Sequence, residues 1–174
     1  MIRGFRKFLC RDERGTATVE FVIVFPLIIA VFMSTFEAAM LTAKYTMMER
    51  ALDITIRELR LNANTPLSES DVKDRICNET LLISDCRSTI VVEMTTINPP
   101  VWSWPNTRAA CADRINNTLP VVTYTQAQAN RLVLVRLCTV VDPWFPLTGL
   151  GLALSKDASG GYQMTTASAF VAEP

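Results

Sequence analysis

The sequence predicts an α+β fold: a long N-terminal transmembrane helix continues into an amphipathic helix and packs on a small antiparallel sheet. Three observations predict it. From Phe21 to Ala43 the run "FVIVFPLIIAVFMSTFEAAMLTA" holds a single charged residue, Glu37. Beyond Ala43 apolar residues recur at helical spacing. Past residue 66, segments rich in β-branched residues read as strands.

Residues 1–15 carry Arg3, Arg6, Lys7, Arg11 and Arg14 against Asp12 and Glu13, a basic segment directly before the apolar run. Beyond residue 62 the chain holds 8 Lys or Arg against 10 Asp or Glu. This asymmetry fits the positive-inside rule and places the amino terminus in the cytoplasm. The whole chain of 174 residues has a formal net charge of zero, which points to no nucleic-acid partner.

As a helix, Phe21–Ala43 would extend about 34 Å, against a hydrocarbon core of about 30 Å. Two other readings compete. A buried core helix of a soluble protein could share this composition, and "FVIVFPLIIAVFMSTF" is short for a span. A cleaved secretory signal could end at Ala38 and Ala39, but Glu20, Phe36 and Glu37 fit it poorly and the apolar pattern continues beyond. Pro26, inside the run, removes one backbone hydrogen bond and is expected to bend the helix.

Leu41, Tyr45, Met48, Leu52, Thr55 and Leu59 then form a heptad-like seam, while Asp53 and Arg57 make an i, i+4 pair on the other face. No Gly or Pro interrupts residues 27–62, so one helix of roughly 40 residues is expected, stopped by "NANTP" at 62–66. Residues 68–82 read as a second helix, with Ser68 and Asp71 as a capping box. Strands are expected at 88–97, at 131–141 and in the final "GYQMTTASAFVAE". The segment 98–128 reads as a surface excursion.

Cys10 lies in the basic segment and reads as a free thiol on the reducing side. Cys77, Cys86, Cys111 and Cys138 lie on the other side, where four cysteines allow two disulfides in three connectivities. Short spacing favours Cys77 with Cys86, which leaves Cys111 for Cys138. A zinc site is the weaker reading, because there is no C-x-x-C and no histidine. Lack of histidine also removes Ser-His-Asp and Cys-His catalysis, and neither a paired-carboxylate motif nor a glycine-rich phosphate loop stands out. No enzyme, cofactor or metal is therefore predicted. In "PPVWSWPNT", Trp102 and Trp104 would point the same way if extended; they make either a partner-contact patch or part of the packed fold.

Taken together, the basic leader, Gly15, Thr16, Glu20, Phe21 and the apolar helix resemble the class III signal of the type IV pilin superfamily. In that signal a prepilin peptidase cuts after Gly on the cytoplasmic side, before the apolar run, and so the anchor is kept. A cut between Gly15 and Thr16 would make Glu20 the fifth mature residue. "RGTATVEFVIVFPLIIAVF" is similar to the opening of TadE-like and TadF-like pseudopilins, minor components of the tight-adherence (Tad) machinery that builds Flp pili. "VVDPWFPLTGLG" and the strand ending in "AEP" are similar to their close. Thr16 departs from the Phe or Met common at the first mature position of type IV pilins, and Pro26 comes earlier than their helix proline. Both departures favour the Tad branch over a type II secretion pseudopilin.

The resemblance implies a pilin-like fold divided into a leader (1–15), a transmembrane helix (16–43), an amphipathic extension (44–62) and a periplasmic α+β domain (63–174). It further implies a single pass through the bacterial inner membrane, or incorporation in the pilus. The implied partners are prepilin peptidase, other minor pseudopilins, pilin and the inner-membrane assembly platform. A carboxylate costs on the order of 2.5–3.5 kcal/mol at the bilayer centre and less at its edge, so Glu20 calls for a partner. The amine freed at Thr16 of an adjacent subunit would supply one. The alternative function is a non-pilin single-span protein whose outer domain captures a partner through Trp102 and Trp104.

Overall fold

A computed structural model of the chain describes residues 16–61, 67–98, 100, 102, 104, 105, 107–147 and 149–173. The leader, with Cys10 and Gly15, and the whole "NANTP" break lie outside the described residues.

Helix α1, Thr16–Leu61, runs 46 residues without interruption through Pro26. Residues 17–32 are exposed among the described residues. The second half of the helix lies on the domain, where Met48, Ala51, Leu52, Thr55, Ile56 and Leu59 are buried. This i, i+3, i+4 stripe is wider than the expected seam: Ala51 and Ile56 join it, while Tyr45 is exposed. The outer face carries the Asp53–Arg57 ion pair at 3.1 Å.

Helix α2, Glu69–Glu79, opens with the expected capping box. Asp71 N donates to Ser68 Oγ at 3.2 Å and Ser68 N donates to Asp71 Oδ2 at 3.1 Å. It ends three residues short of the sequence expectation, because the chain turns at Thr80 to bring Cys86 back to Cys77, Cα atoms 5.6 Å apart. That turn also takes the first residues of the expected strand. Helix α3, Cys86–Thr89, includes Ser88 and Thr89, whose hydroxyls both donate to the Asp85 carbonyl.

Strand β1 is therefore Val91–Ile97, followed by β2, Leu132–Val141, helix α4, Gly149–Ala153, and β3, Tyr162–Val171. The three strands form an antiparallel sheet in the order β1-β2-β3, with Glu93 opposite Arg136 and Cys138 opposite Thr165. The fold is α+β, a long N-terminal apolar helix followed by a small antiparallel sheet, as the sequence predicts.

Alternation along the strands divides the sheet into two faces. Val92 and Met94, Val133, Val135 and Leu137, and Tyr162, Met164 and Phe170 face the helices and join Met48, Leu52, Val72 and Ile76 in one core. β2 is buried on its other face as well, so it reads as a continuous apolar run rather than an alternating one. Much of that second cover comes from the excursion after β1. Cys111 lies at disulfide distance from Cys138, Cα atoms 5.0 Å apart. Arg136 Nη1 donates to the Thr107 carbonyl at 2.6 Å, and Arg136 Nη2 donates to both carboxylate oxygens of Glu93. Segment 123–125 pairs with the free edge of β1 through Met94 N to Thr123 O at 3.0 Å and Thr125 N to Met94 O at 2.8 Å. An edge that would otherwise offer unpaired backbone groups is thus covered.

Candidate functional site

Two surfaces of α1 carry the residues that the sequence singles out. The first is its apolar half. This helix is long and apolar enough to cross a membrane, and among the described residues none of its apolar window is buried. Val19, Phe21, Val22, Ile23, Phe25, Leu27, Ile28, Val31 and Phe32 are all exposed. A core helix of the chain's own domain would be covered, so the exposure disfavours that reading. Hydroxyls in this region turn inward to the helix: Ser34 Oγ donates to the Ala30 carbonyl and Thr35 Oγ1 to the Val31 carbonyl, both at 2.8 Å. Such back-bonding leaves little polar surface to desolvate in lipid.

Thr16 is the first residue of α1, and Glu20 stands exposed one turn further on. Phe21 is also exposed and stacks on Phe25, ring centroids 4.9 Å apart. The carboxylate thus sits at the entry of an otherwise apolar surface that is exposed among the described residues.

The second surface is where the domain grips the helix. Glu37, the one charge in the apolar run, is 1% exposed. Its carboxylate accepts from Trp144 N, at 3.1 Å to Oε1 and 2.9 Å to Oε2, and from Phe145 N at 3.1 Å to Oε2. Pro143 and Pro146 flank these donors and have no N–H of their own, so Glu37 satisfies every backbone donor from Pro143 to Pro146. Phe36 packs edge-on against Trp144 and Phe145, with centroids 6.1 and 6.0 Å apart. One helical turn below, Gly149 at the start of α4 lies directly against Ser34. A Cβ there would stand 1.8 Å from Ser34 Oγ, and the backbone has φ +36°, so both space and conformation require glycine.

Sequence reasoning missed this clasp. Its signals were present: a lone carboxylate in an apolar helix, and a Pro-Trp-Phe-Pro sequence whose two inner N–H groups need acceptors. Pairing them requires knowing that residues more than a hundred positions apart meet.

The end of β2 that leads into the clasp is braced as well. Arg114 binds Asp142 in a bidentate pair at 2.9 and 2.7 Å and also donates to Ser159. The guanidinium holds the Asp142 carboxyl below its ordinary range. Tyr124 OH donates to the Leu67 carbonyl at 3.0 Å; burial, and then the charges of Glu69 and Asp71, push this phenol up to about 12.

Trp102 and Trp104 are 53% and 55% exposed, outside the packed core. Trp102 has φ +40°, so the extended run that would set both indoles on one side is broken there. Among the described residues no group of three or more His, Cys, Asp or Glu side chains could hold a metal ion.

Neither curated proteins nor solved structures give a match to the chain. A family model does: the one described as TadE-like protein matches residues 15–57. That interval begins at the glycine preceding α1 and takes in the exposed apolar half, Glu37 and most of the stripe that packs on the domain. Over residues 15–57, which take in most of the N-terminal helix, the chain is similar to TadE-like protein.

Proposed function

We propose that the protein is a minor pseudopilin that takes part in assembly of Flp-type pili. The TadE-like match ties the chain to Tad pilus assembly, where the known components of this kind are structural rather than enzymatic. The observation that carries the finer reading is the state of α1: its outer half is gripped by the domain, while residues 17–32, within the TadE-like interval, are exposed among the described residues. A helix built only as an anchor needs no special chemistry at its entry, yet this one has Glu20 on the first turns.

In this reading prepilin peptidase cuts between Gly15 and Thr16, the freed amine joins Glu20 of a neighbouring subunit, and the apolar halves of adjacent helices pack side by side. The remaining partners are pilin, other minor pseudopilins and the inner-membrane assembly platform. Residues 63–174 form the periplasmic domain. In that oxidising compartment the close pairs Cys77–Cys86 and Cys111–Cys138 are disulfides.

Replacing Glu20→Gln tests the assembly role. The charge is lost while size and hydrogen bonding are kept, so insertion is unharmed or slightly easier. An ion pair beside low-dielectric lipid is worth more than the about 0.2–1 kcal/mol of an exposed one, so association weakens. The expected outcome is a processed protein that fails to support pilus assembly in a strain lacking the native copy. Processing together with wild-type assembly would refute the role given to Glu20.

The competing reading, partner capture by a non-pilin membrane protein, draws on the exposure of Trp102 and Trp104. It expects a Trp102→Ala/Trp104→Ala variant to lose function while Glu20→Gln keeps it.

A further inference from the structure

The clasp on Glu37 presents an apolar surface that faces away from the domain core. Trp144 is 56% exposed, Leu147 80% and Leu152 67%, and Phe36 beside them is also exposed. Trp144, Leu147 and Leu152 come from the part of the chain between the end of β2 and the end of α4, held on α1 at Ser34 and Glu37. Their position along α1 decides what they meet. At about 1.5 Å per residue, Glu37 lies about 24 Å along the helix from Phe21, where the apolar run begins, which puts it in the outer part of a hydrocarbon core about 30 Å thick. The clasp therefore lies at the outer rim of the span and continues the exposed apolar surface of the helix sideways.

We propose that this stretch is a membrane-interface foot: Trp144, Leu147 and Leu152 rest in the outer leaflet of the bilayer that α1 crosses. The inference rests on α1 spanning the membrane, and it goes beyond that by giving the domain a second lipid contact that fixes its orientation. Three features fit lipid rather than water. Tryptophan with its amphipathic ring is the residue of choice at headgroup level. Backbone in a low-dielectric boundary must have its N–H groups satisfied, and from Pro143 to Pro146 the two prolines and Glu37 leave none free. Lys156 reaches back to the Pro146 carbonyl at 2.9 Å, placing an ammonium beside the foot, where lipid phosphates would lie.

Lipid-borne quenching of tryptophan fluorescence tests this in full-length protein held at one chain per lipid nanodisc. Trp102→Phe/Trp104→Phe leaves Trp144 as the single reporter among the three tryptophans of the chain. A companion chain with Trp144→Phe added and Phe25→Trp reports on the middle of α1. The foot predicts blue-shifted Trp144 emission, quenched more by a nitroxide near the glycerol end of the acyl chain than by one near its methyl end, and protected from iodide. Phe25→Trp should be quenched best by the deep label. If Trp144 is open to iodide and untouched by lipid labels while the deep reporter is quenched, the foot is wrong and the span stands. Failure of both reporters to sense lipid removes the span, and the foot with it. Shielding of Trp144 that develops only when several chains share a disc, without lipid quenching, would assign the surface to a second copy and overturn the proposal.

Discussion

Glu37 shows how a single side chain fixes the relation between helix and domain. Truncation to Ala would leave two partly buried backbone donors without their acceptor, at a cost of about 1–3 kcal/mol. Glu37→Gln retains one acceptor and should lose clearly less. Limited proteolysis of the 142–154 stretch in detergent-solubilised protein reads the effect: faster cutting for Ala, intermediate for Gln, little change at distant sites. Tyr124 supplies a pH signature. Its phenol titrates near 12 in the folded chain against about 10 when unfolded. Between those values the folded state holds a proton that the unfolded state has lost, so this contribution is intact below about pH 10 and drains away as pH rises toward 12. Tyr124→Phe should flatten the alkaline fall in urea-unfolding free energy, and cost about 1 kcal/mol at neutral pH for the lost bond to the Leu67 carbonyl. Asp142 has the opposite sign. Its lowered carboxyl favours the fold above about pH 4 and loses that effect in acid. With the Asp142 side chain largely exposed, the amount is under about 1 kcal/mol.

At the scale of elements, the excursion between β1 and β2 has no helix or strand among its described residues and depends on the sheet it covers. Replacing Cys111 and Cys138 with Ser should cost about 2–5 kcal/mol. Amide exchange should rise across 107–118, where the chain is held to β2 through Cys138 and Arg136, more than in α2, which has its own Cys77–Cys86 link. Uniform loosening of both would contradict the division. Legibility in the sequence follows the range of the interactions. Helix α1 and strands β2 and β3 were readable almost to the residue, because periodicity and β-branched content are local properties. The Ser68–Asp71 capping box was readable for the same reason. The start of β1 was misplaced because Ser88 and Thr89 favour a strand by neighbours but bond back to Asp85 once Cys86 approaches Cys77. Helix α4 was missed outright. It is short, glycine-bearing and stabilised by contact with Ser34, a partner over a hundred residues away.

For the whole molecule, the arrangement is a helix of two characters joined to one small domain. Its inner half offers an apolar surface with a carboxylate at the entry, and its outer half is bound by the core, with the Glu37 clasp marking the boundary. Such a body suits a subunit that is held in a membrane by one helix and joins its neighbours through that same helix. The family match falls on that helix, whereas the sheet domain beyond it lies outside the matched interval. Everything proposed for assembly depends on Thr16 becoming a free amino terminus next to Glu20. The most direct measurement is the intact mass and N-terminal sequence of the protein from membranes of cells with an active prepilin peptidase. A chain beginning at Thr16 and retaining α1 is predicted. A chain still beginning at Met1, or one beginning near Ala39 after removal of the apolar run, would contradict it.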